Sequence, residues 1–214
     1  MRAAALRASF RLSILFLLVY GWTGWMASLR TDVGTLAFTW ERWIPVVPWL
    51  IVPYMSIDLF FVAAPFFCRD RQELGLFSRR IAWSILGAGA CFLLFPFRFA
   101  FERPVVEGWA GALFASLHAF DRPFNLCPSL HITLRALLAD HYSRHIAFKP
   151  LRWALHFWFF LIGLSTLLTW QHHVLDVDEH LERLGNGKKR QERHDAIDQG
   201  ADENAEASSR FVGD

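Results

Sequence analysis

The chain of 214 residues is 54% hydrophobic and 16% aromatic, whereas an average soluble domain is about 45–50% apolar. Its three cysteines cannot form a disulfide framework, no Cys/His spacing matches a structural zinc site, and its scattered basic residues do not form a nucleic-acid-binding patch. The net charge of +2 combines a basic region 1–177 (net +6) with an acidic region 178–214 (net −4).

Residues 12–28 form the first candidate membrane span, since an apolar run of about 17–25 residues can cross a bilayer. Three arginines precede this run, so a signal peptide is the alternative. However, Trp22, Trp25 and Met26 occupy the place where a cleavage site needs small residues. We therefore predict a retained span.

The second and third predicted spans cover residues 44–67 and 81–95. Four prolines in the second predict a kinked helix, which neighbouring helices in a bundle can tolerate. Asp58 lies well inside it, and a carboxylate within a membrane is a functional candidate by default; a bond to a neighbouring helix is the equal alternative. Residues 105–121 are apolar but short, which predicts an interfacial helix that lies on the bundle.

Residues 129–148 and 153–170 are the fourth and fifth predicted spans. The fourth must face protein or water along one side, because it carries Arg135, Asp140, His141, Arg144 and His145. Residues 178–214 lack apolar periodicity and cannot bury enough apolar area to offset chain entropy. The sequence therefore predicts an all-α membrane protein, with a bundle of about five transmembrane spans in residues 1–177 and a disordered tail in residues 178–214.

The distribution of basic residues predicts how this bundle is oriented. Basic clusters before the first span, after the second and between the fourth and fifth fall on one side of the membrane, which the positive-inside rule makes cytoplasmic. The N-terminus is then cytoplasmic, in a plasma membrane or bacterial inner membrane. Residues 98–104, 127–131 and 172–176 emerge together on the opposite, non-cytoplasmic face, where we expect a site.

His172 and Asp176 are spaced for acid–base or nucleophilic chemistry. On a helix, positions i and i+4 share a face, so the carboxylate can fix the imidazole tautomer and leave the other nitrogen reactive. Ser165 and Thr169 then lie on roughly the same stripe. The alternatives are a solvated pair of histidines, His172 and His173, or ligands of a metal or haem.

The start of a helix is predicted at Pro128-Ser129-Leu130-His131. Proline breaks the incoming chain and serine is a strong N-cap. The free backbone N–H groups and the positive end of the helix dipole then form a phosphate cradle, beside which His131 could protonate a leaving oxygen. The alternative is a capped helix with an incidental histidine.

Taken together, these residues resemble the type 2 phosphatidic acid phosphatase superfamily over roughly residues 44–177. The motifs of that family are Lys-x6-Arg-Pro, Pro-Ser-Gly-His and Ser-Arg-x5-His-x3-Asp. The third is present with every spacing kept, from Ser165 through His172 to Asp176, and the second is present as residues 128–131. The first survives as Arg103-Pro104.

Three departures from these motifs are informative. Pro96 stands where the first motif has lysine, and Arg98 is the nearest basic residue. Leu130 replaces the glycine of the second motif, and Thr166 replaces the phosphate-binding arginine of the third. The last two make the chain look more like the branch of inositol phosphorylceramide synthases and sphingomyelin synthases than like simple lipid phosphatases.

The resemblance implies a lipid phosphatase or phosphotransferase that needs no metal or other cofactor and acts on a lipid phosphate or phospholipid. His172 would be the nucleophile that forms a phosphohistidine, Asp176 would orient it, and His131 would be the general acid. Arg103 would bind phosphate, and we expect Ser129 and Arg98 beside it.

Charge on the phosphoryl oxygens must be offset, so the missing arginine of the third motif needs a replacement. Arg135 is four residues after His131 and is therefore expected one turn below it on the same face. We predict that Arg135 contacts the phosphate. The alternative, equally weighted, is an ion pair with Asp58 or Asp140.

The family pattern also has a sixth span after the third motif, whereas the polar region begins here two residues after Asp176. Partner subunits in a homo-oligomer or an alternative packing could then support the site. The second functional reading is a non-catalytic or truncated family member that binds lipid phosphates.

Overall fold

The computed structural model describes residues 1–121 and 123–174, which form six α-helices and no β-strand. The bounds are α1 Arg2–Ser28, α2 Ile51–Ala63, α3 Arg71–Leu94, α4 Gly108–Phe120, α5 Leu130–His145 and α6 Lys149–Leu168. Three short 3-10 helices occur at Thr39–Trp43, Pro48–Leu50 and Ala64–Phe67. The all-α prediction is confirmed, while the predicted disordered region 178–214 lies outside the described residues.

Four helical segments are long and apolar enough to cross a bilayer, namely Arg2–Ser28, Pro48–Phe67, Arg71–Leu94 and Lys149–Leu168. The two 3-10 turns that flank α2 extend it to spanning length, as the prolines there allow. Large apolar side chains such as Leu18, Trp83 and Phe157 are more than half exposed on these helices, as expected for surfaces that contact lipid. The prediction of a helical membrane protein is confirmed.

The fourth predicted span, 129–148, is the exception among the five. It becomes α5, which has only 16 residues, whereas about 20 are needed to cross a bilayer. Leu130, Leu134, Leu138 and Tyr142 recur every four residues and are all buried. They join a core shared with α2, α3 and α6, so α5 is the central helix of the bundle.

The five helices α1, α2, α3, α5 and α6 alternate in direction. At one end, the Arg30 guanidinium donates to the Leu93 carbonyl across a distance of 2.8 Å, which ties the C-terminal ends of α1 and α3 together. At the other end, His145 Nε2 lies 2.9 Å from Glu73 Oε1, which joins the end of α5 to the start of α3. We call these the upper and lower ends of the bundle.

The short helix expected within residues 105–121 is α4. It packs against the start of α2 through a separate apolar cluster of Ile51, Tyr54, Ala110 and Phe114. Because α2 begins at the upper end, α4 lies on the bundle there, and it brings Asp121, the residue after its last, towards α1.

Candidate active site at the upper end of the bundle

His172 is placed by a sharp turn and not by a continuing helix. The helix α6 ends at Leu168, and Trp170 adopts a left-handed conformation with a φ of 55°. The backbone amides of Gln171 and His172 then return to the Thr166 carbonyl at 3.1 and 3.0 Å, a helix-ending arrangement in which orphan carbonyls are satisfied. The expectation that His172 shares a helical face with Ser165 and Thr169 is therefore wrong.

This turn brings His172 to the N-terminus of α5. Its Nε2 lies 3.3 Å from the Ser129 hydroxyl, and both residues are buried. The same hydroxyl oxygen caps α5 by accepting from the Ile132 amide at 3.3 Å. A hydroxyl that accepts from an amide can also donate its own hydrogen to Nε2, and in that arrangement the ring carries its proton on Nδ1.

His131, the second residue of α5, lies beside this pair. Its ring stacks on Tyr54 of α2 with the ring centroids 4.2 Å apart and the planes 12° from parallel. Its Nε2 is buried and makes no hydrogen bond within residues 1–121 and 123–174. A buried polar atom without a partner is costly, so this nitrogen is suited to a ligand.

Both histidines line one cavity of about 570 Å³ between α1, α2, α4 and α5, a volume within the range of about 300–1,000 Å³ typical of ligand sites. Its upper part is polar, with Tyr20, Asp121 and Asn125 near the histidines. It continues between α1 and α2 along apolar side chains. The cavity therefore combines a polar end with an apolar channel.

Arg103 reaches the polar end through Asp121. Its guanidinium donates to the Asp121 carbonyl at 3.0 Å and lies 3.4 Å from the carboxylate Oδ2, while Tyr20 donates to Oδ1 at 2.6 Å. The Arg103 Nε is buried and makes no hydrogen bond within the described part of the chain. The Arg103 guanidinium is therefore held in position before any phosphate binds at this end of the cavity.

Sequence reasoning missed the residues that α1, α2 and α4 contribute to this end. Tyr20 and Tyr54 occur inside apolar runs with no motif to mark them, and the same holds for His118. Burial and the nearby charge of Arg103 lower the pKa of His118 below its ordinary value. Asn125 has a positive φ of 62° and donates to the Tyr20 carbonyl at 2.8 Å. The one sequence feature that could have marked it is an asparagine between two predicted helices.

Arg135 does not point where the helical spacing suggested. Its Nε donates to the Phe159 carbonyl of α6 at 2.6 Å, and a Cβ added to Gly163 would come within 2.9 Å of that nitrogen. His131 faces α2 instead, so the two side chains diverge, and Arg135 is not a wall of the cavity. The ion pair with Asp140 is also not formed, because Asp140 pairs with Arg144 at 2.8 Å.

Three other residues considered with the family motifs do not line the cavity, namely Arg98, Ser165 and Thr166. Arg98 bonds to Gly34 through its backbone amide at 2.9 Å and its side chain is exposed. Thr166 is fully buried and donates to the Gly163 carbonyl at 2.8 Å, as Ser165 does to Ile162. Asp176 lies outside the described residues.

Asp58, in the middle of the second span, lines the same cavity below the histidines. It makes no hydrogen bond or ion pair with another residue in the described ranges, so neither the bond to a neighbouring helix nor the pairing with Arg135 is formed there. The carboxylate thus faces the channel.

His173 holds the surrounding loops together. Its Nδ1 lies 2.8 Å from Glu41 Oε2, and its Nε2 accepts from the Ala100 amide at 3.0 Å. An accepting Nε2 carries no proton, so Nδ1 is the donor and the ring is neutral. The ring stacks on Phe99 at a centroid distance of 4.3 Å, and Glu41 also accepts from the Val174 amide at 3.1 Å. The sequence analysis, which considered His173 only as a solvated histidine or a metal or haem ligand, missed this role.

Three stretches that are distant in sequence thus meet at the upper end: residues 98–104, 127–131 and 172–174. No group of three or more His, Cys, Asp or Glu side chains within residues 1–121 and 123–174 is arranged to hold a metal ion. Comparison of the chain with family models, with curated proteins and with solved structures found no match.

Proposed function

We propose that the chain is a membrane-embedded lipid phosphatase or phosphotransferase that works through a phosphohistidine at His172. The observation that carries the proposal is the contact of 3.3 Å between His172 Nε2 and Ser129 at the capped N-terminus of α5, within a cavity that also contains His131. A nitrogen that could act as a nucleophile, a helix N-terminus that could bind an anion and a second imidazole thus lie close together, which supports the proposal.

The first step is attack of the Nε2 lone pair on the phosphorus of a lipid phosphate. The bond between phosphorus and the lipid oxygen breaks, and His131, which must enter this step as the imidazolium, donates a proton to that oxygen and becomes neutral. In the second step water, or a second alcohol in a transferase, attacks the phosphohistidine, gives its proton to His131 and restores His172. Phosphate or the new ester then leaves.

Charge on the equatorial oxygens is offset by the first amides of α5 and by Arg103. The Asp121 carboxylate currently neutralises Arg103, so phosphate must compete with it. The resemblance assigns to Asp176 the role of holding Nδ1–H of His172. A Ser129 hydroxyl that donates to Nε2 requires the same tautomer.

The apolar part of the substrate would occupy the channel between α1 and α2. Because the walls there are formed by membrane-spanning helices, a lipid is the substrate class that fits. Water and alcohol acceptors differ only in the second step, so phosphatase and transferase activities share all the residues named above.

The test is release of phosphate from a panel of lipid phosphates by the purified protein in detergent. We expect His172→Ala to abolish release and to abolish an acid-labile phosphoryl adduct on the protein. His156→Ala is the matched control, because His156 lies on α6 at the lower end and is bonded to Ser143. Equal rates for the wild type and His172→Ala would overturn the proposal.

A second candidate is a protein that binds lipid phosphates without turnover. The buried Thr166 hydroxyl favours it, because this position offers no cation to the transition state. Binding of a lipid phosphate with the same affinity by the wild type and His172→Ala, with no product from either, would support this reading over the first.

A further inference from the structure

A groove runs between α1 and α3 at the lower end of the bundle, away from the histidines. Its volume is about 530 Å³, similar to that of the upper cavity. Small residues open it, namely Ala4 and Ala8 on α1 and Gly75, Ser78 and Ala82 on α3. The buried side chains of Leu12 and Leu74 form its apolar floor.

Four arginines line the groove: Arg7, Arg11, Arg71 and Arg79. None of them makes a hydrogen bond or an ion pair within residues 1–121 and 123–174. The nearest carboxylates are used elsewhere, since Asp70 caps α3 and Glu73 accepts from the Arg69 amide and pairs with His145. Four guanidinium groups therefore line an apolar cleft, and none of them is paired with a carboxylate of the described residues.

We propose that this groove binds an anionic phospholipid of the surrounding bilayer, with its phosphate between the arginines and an acyl chain along the floor. Guanidinium groups bind phosphate oxygens in a bidentate manner, and basic pockets between transmembrane helices recognise anionic headgroups. The apolar floor suits a lipid and not a free phosphate. Two arginines on each helix also suit a lipid with two phosphates better than one with a single phosphate.

Nonspecific electrostatic attraction would also draw anionic lipid towards exposed arginines. The chain offers matched control residues that distinguish this attraction from binding in the groove. Arg79 and Arg80 are neighbours on α3, yet only Arg79 lines the groove. Likewise Arg2 and Arg11 both lie on α1, and only Arg11 lines it. A bound lipid distinguishes the members of each pair, whereas a diffuse attraction does not.

The experiment measures lipid binding to the purified full chain by native mass spectrometry. The lipids are cardiolipin, phosphatidylglycerol and phosphatidylcholine, and inorganic phosphate is a separate arm. We expect binding in the order cardiolipin, phosphatidylglycerol, phosphatidylcholine, with no binding of phosphate alone. The double variant Arg11→Gln/Arg79→Gln should bind cardiolipin at least tenfold more weakly, since each arginine contributes about fivefold, and Arg2→Gln/Arg80→Gln should bind it as the wild type does.

A charge-neutral variant keeps the test independent of net charge. A Cβ at Gly75 meets nothing within 4 Å, and leucine is a better helix former than glycine, so Gly75→Leu should fold while its side chain fills the groove. We expect it to lose cardiolipin binding. Equal weakening in both double variants, full binding by Gly75→Leu, or equally tight binding of free phosphate would each overturn the proposal.

Discussion

The Ser129 hydroxyl has two hydrogen-bonding partners, and it fixes the position of His172 relative to α5. It accepts from the Ile132 amide and so caps α5, and it contacts His172 Nε2. One small side chain thereby ties the N-terminal end of α5 to the nitrogen that we propose as the nucleophile.

We expect Ser129→Ala to lower turnover of lipid phosphate about tenfold, since a lost hydrogen bond of about 1.4 kcal/mol corresponds to that factor. Loss of the cap should also cost about 1 kcal/mol of stability. Phosphate release and thermal unfolding in detergent measure the two effects. Ser143→Ala, at the other end of α5, should leave turnover unchanged; an equal loss in both variants would contradict the assigned role.

His173 belongs to the framework of the site. We expect His173→Ala to lower the free energy of unfolding by about 1–3 kcal/mol, because it removes one hydrogen-bond donor from the buried Glu41 carboxylate and the acceptor of the Ala100 amide. Thermal unfolding measures this, and His156→Ala should change stability little. A loss below 1 kcal/mol in His173→Ala would show that Glu41 does not depend on it.

The helix α2 carries a carboxylate, Asp58, for which helix packing alone gives no reason. Asp58 lies mid-span on the cavity wall, without a partner among the described residues. A charged residue at the centre of a membrane span is costly, so its presence points to a use within the channel.

The change Asp58→Leu should raise the free energy of unfolding by about 1–3 kcal/mol, because it removes an insertion cost of that order. The same variant should alter the preference among lipid phosphates, since the channel wall becomes apolar. Asp58→Asn, which keeps the shape, separates charge from size. Destabilisation by Asp58→Leu would instead show that the carboxylate holds helices together.

Membrane spans were predictable from the sequence because length and apolarity decide them, and α1, α2, α3 and α6 confirm this. The capped start of α5 at Ser129 was equally predictable, since an N-cap depends on residues that are neighbours in the sequence. The end of α6 was not, because Trp170 takes a left-handed conformation without the glycine that normally marks one. The direction of Arg135 was missed because Gly163, on another helix, makes room for it.

Two different surfaces occupy opposite ends of the helical bundle. The histidines, Arg103 and Tyr20 lie at the upper end, and the arginine-lined groove lies at the lower end. A bilayer therefore separates the proposed reaction from the proposed lipid-binding groove.

Orientation can be tested directly. Because the lower end carries most of the basic residues, we expect from the positive-inside rule that it lies in the cytoplasm. A membrane-impermeant thiol reagent should label Thr39→Cys in intact cells, since Thr39 is exposed at the upper end. Gln72→Cys, exposed at the lower end, should react only after permeabilisation. The reverse pattern would contradict the orientation.

The bond between Glu41 and His173 also sets an order of events during synthesis. Glu41 leaves the ribosome early, whereas its partner is made 132 residues later. Until then the Glu41 carboxylate, in the loop before α2, has only the Phe38 amide as a partner among the described residues. A chain interrupted before residue 173 would thus lack the imidazole that Glu41 contacts and the ring that stacks on Phe99.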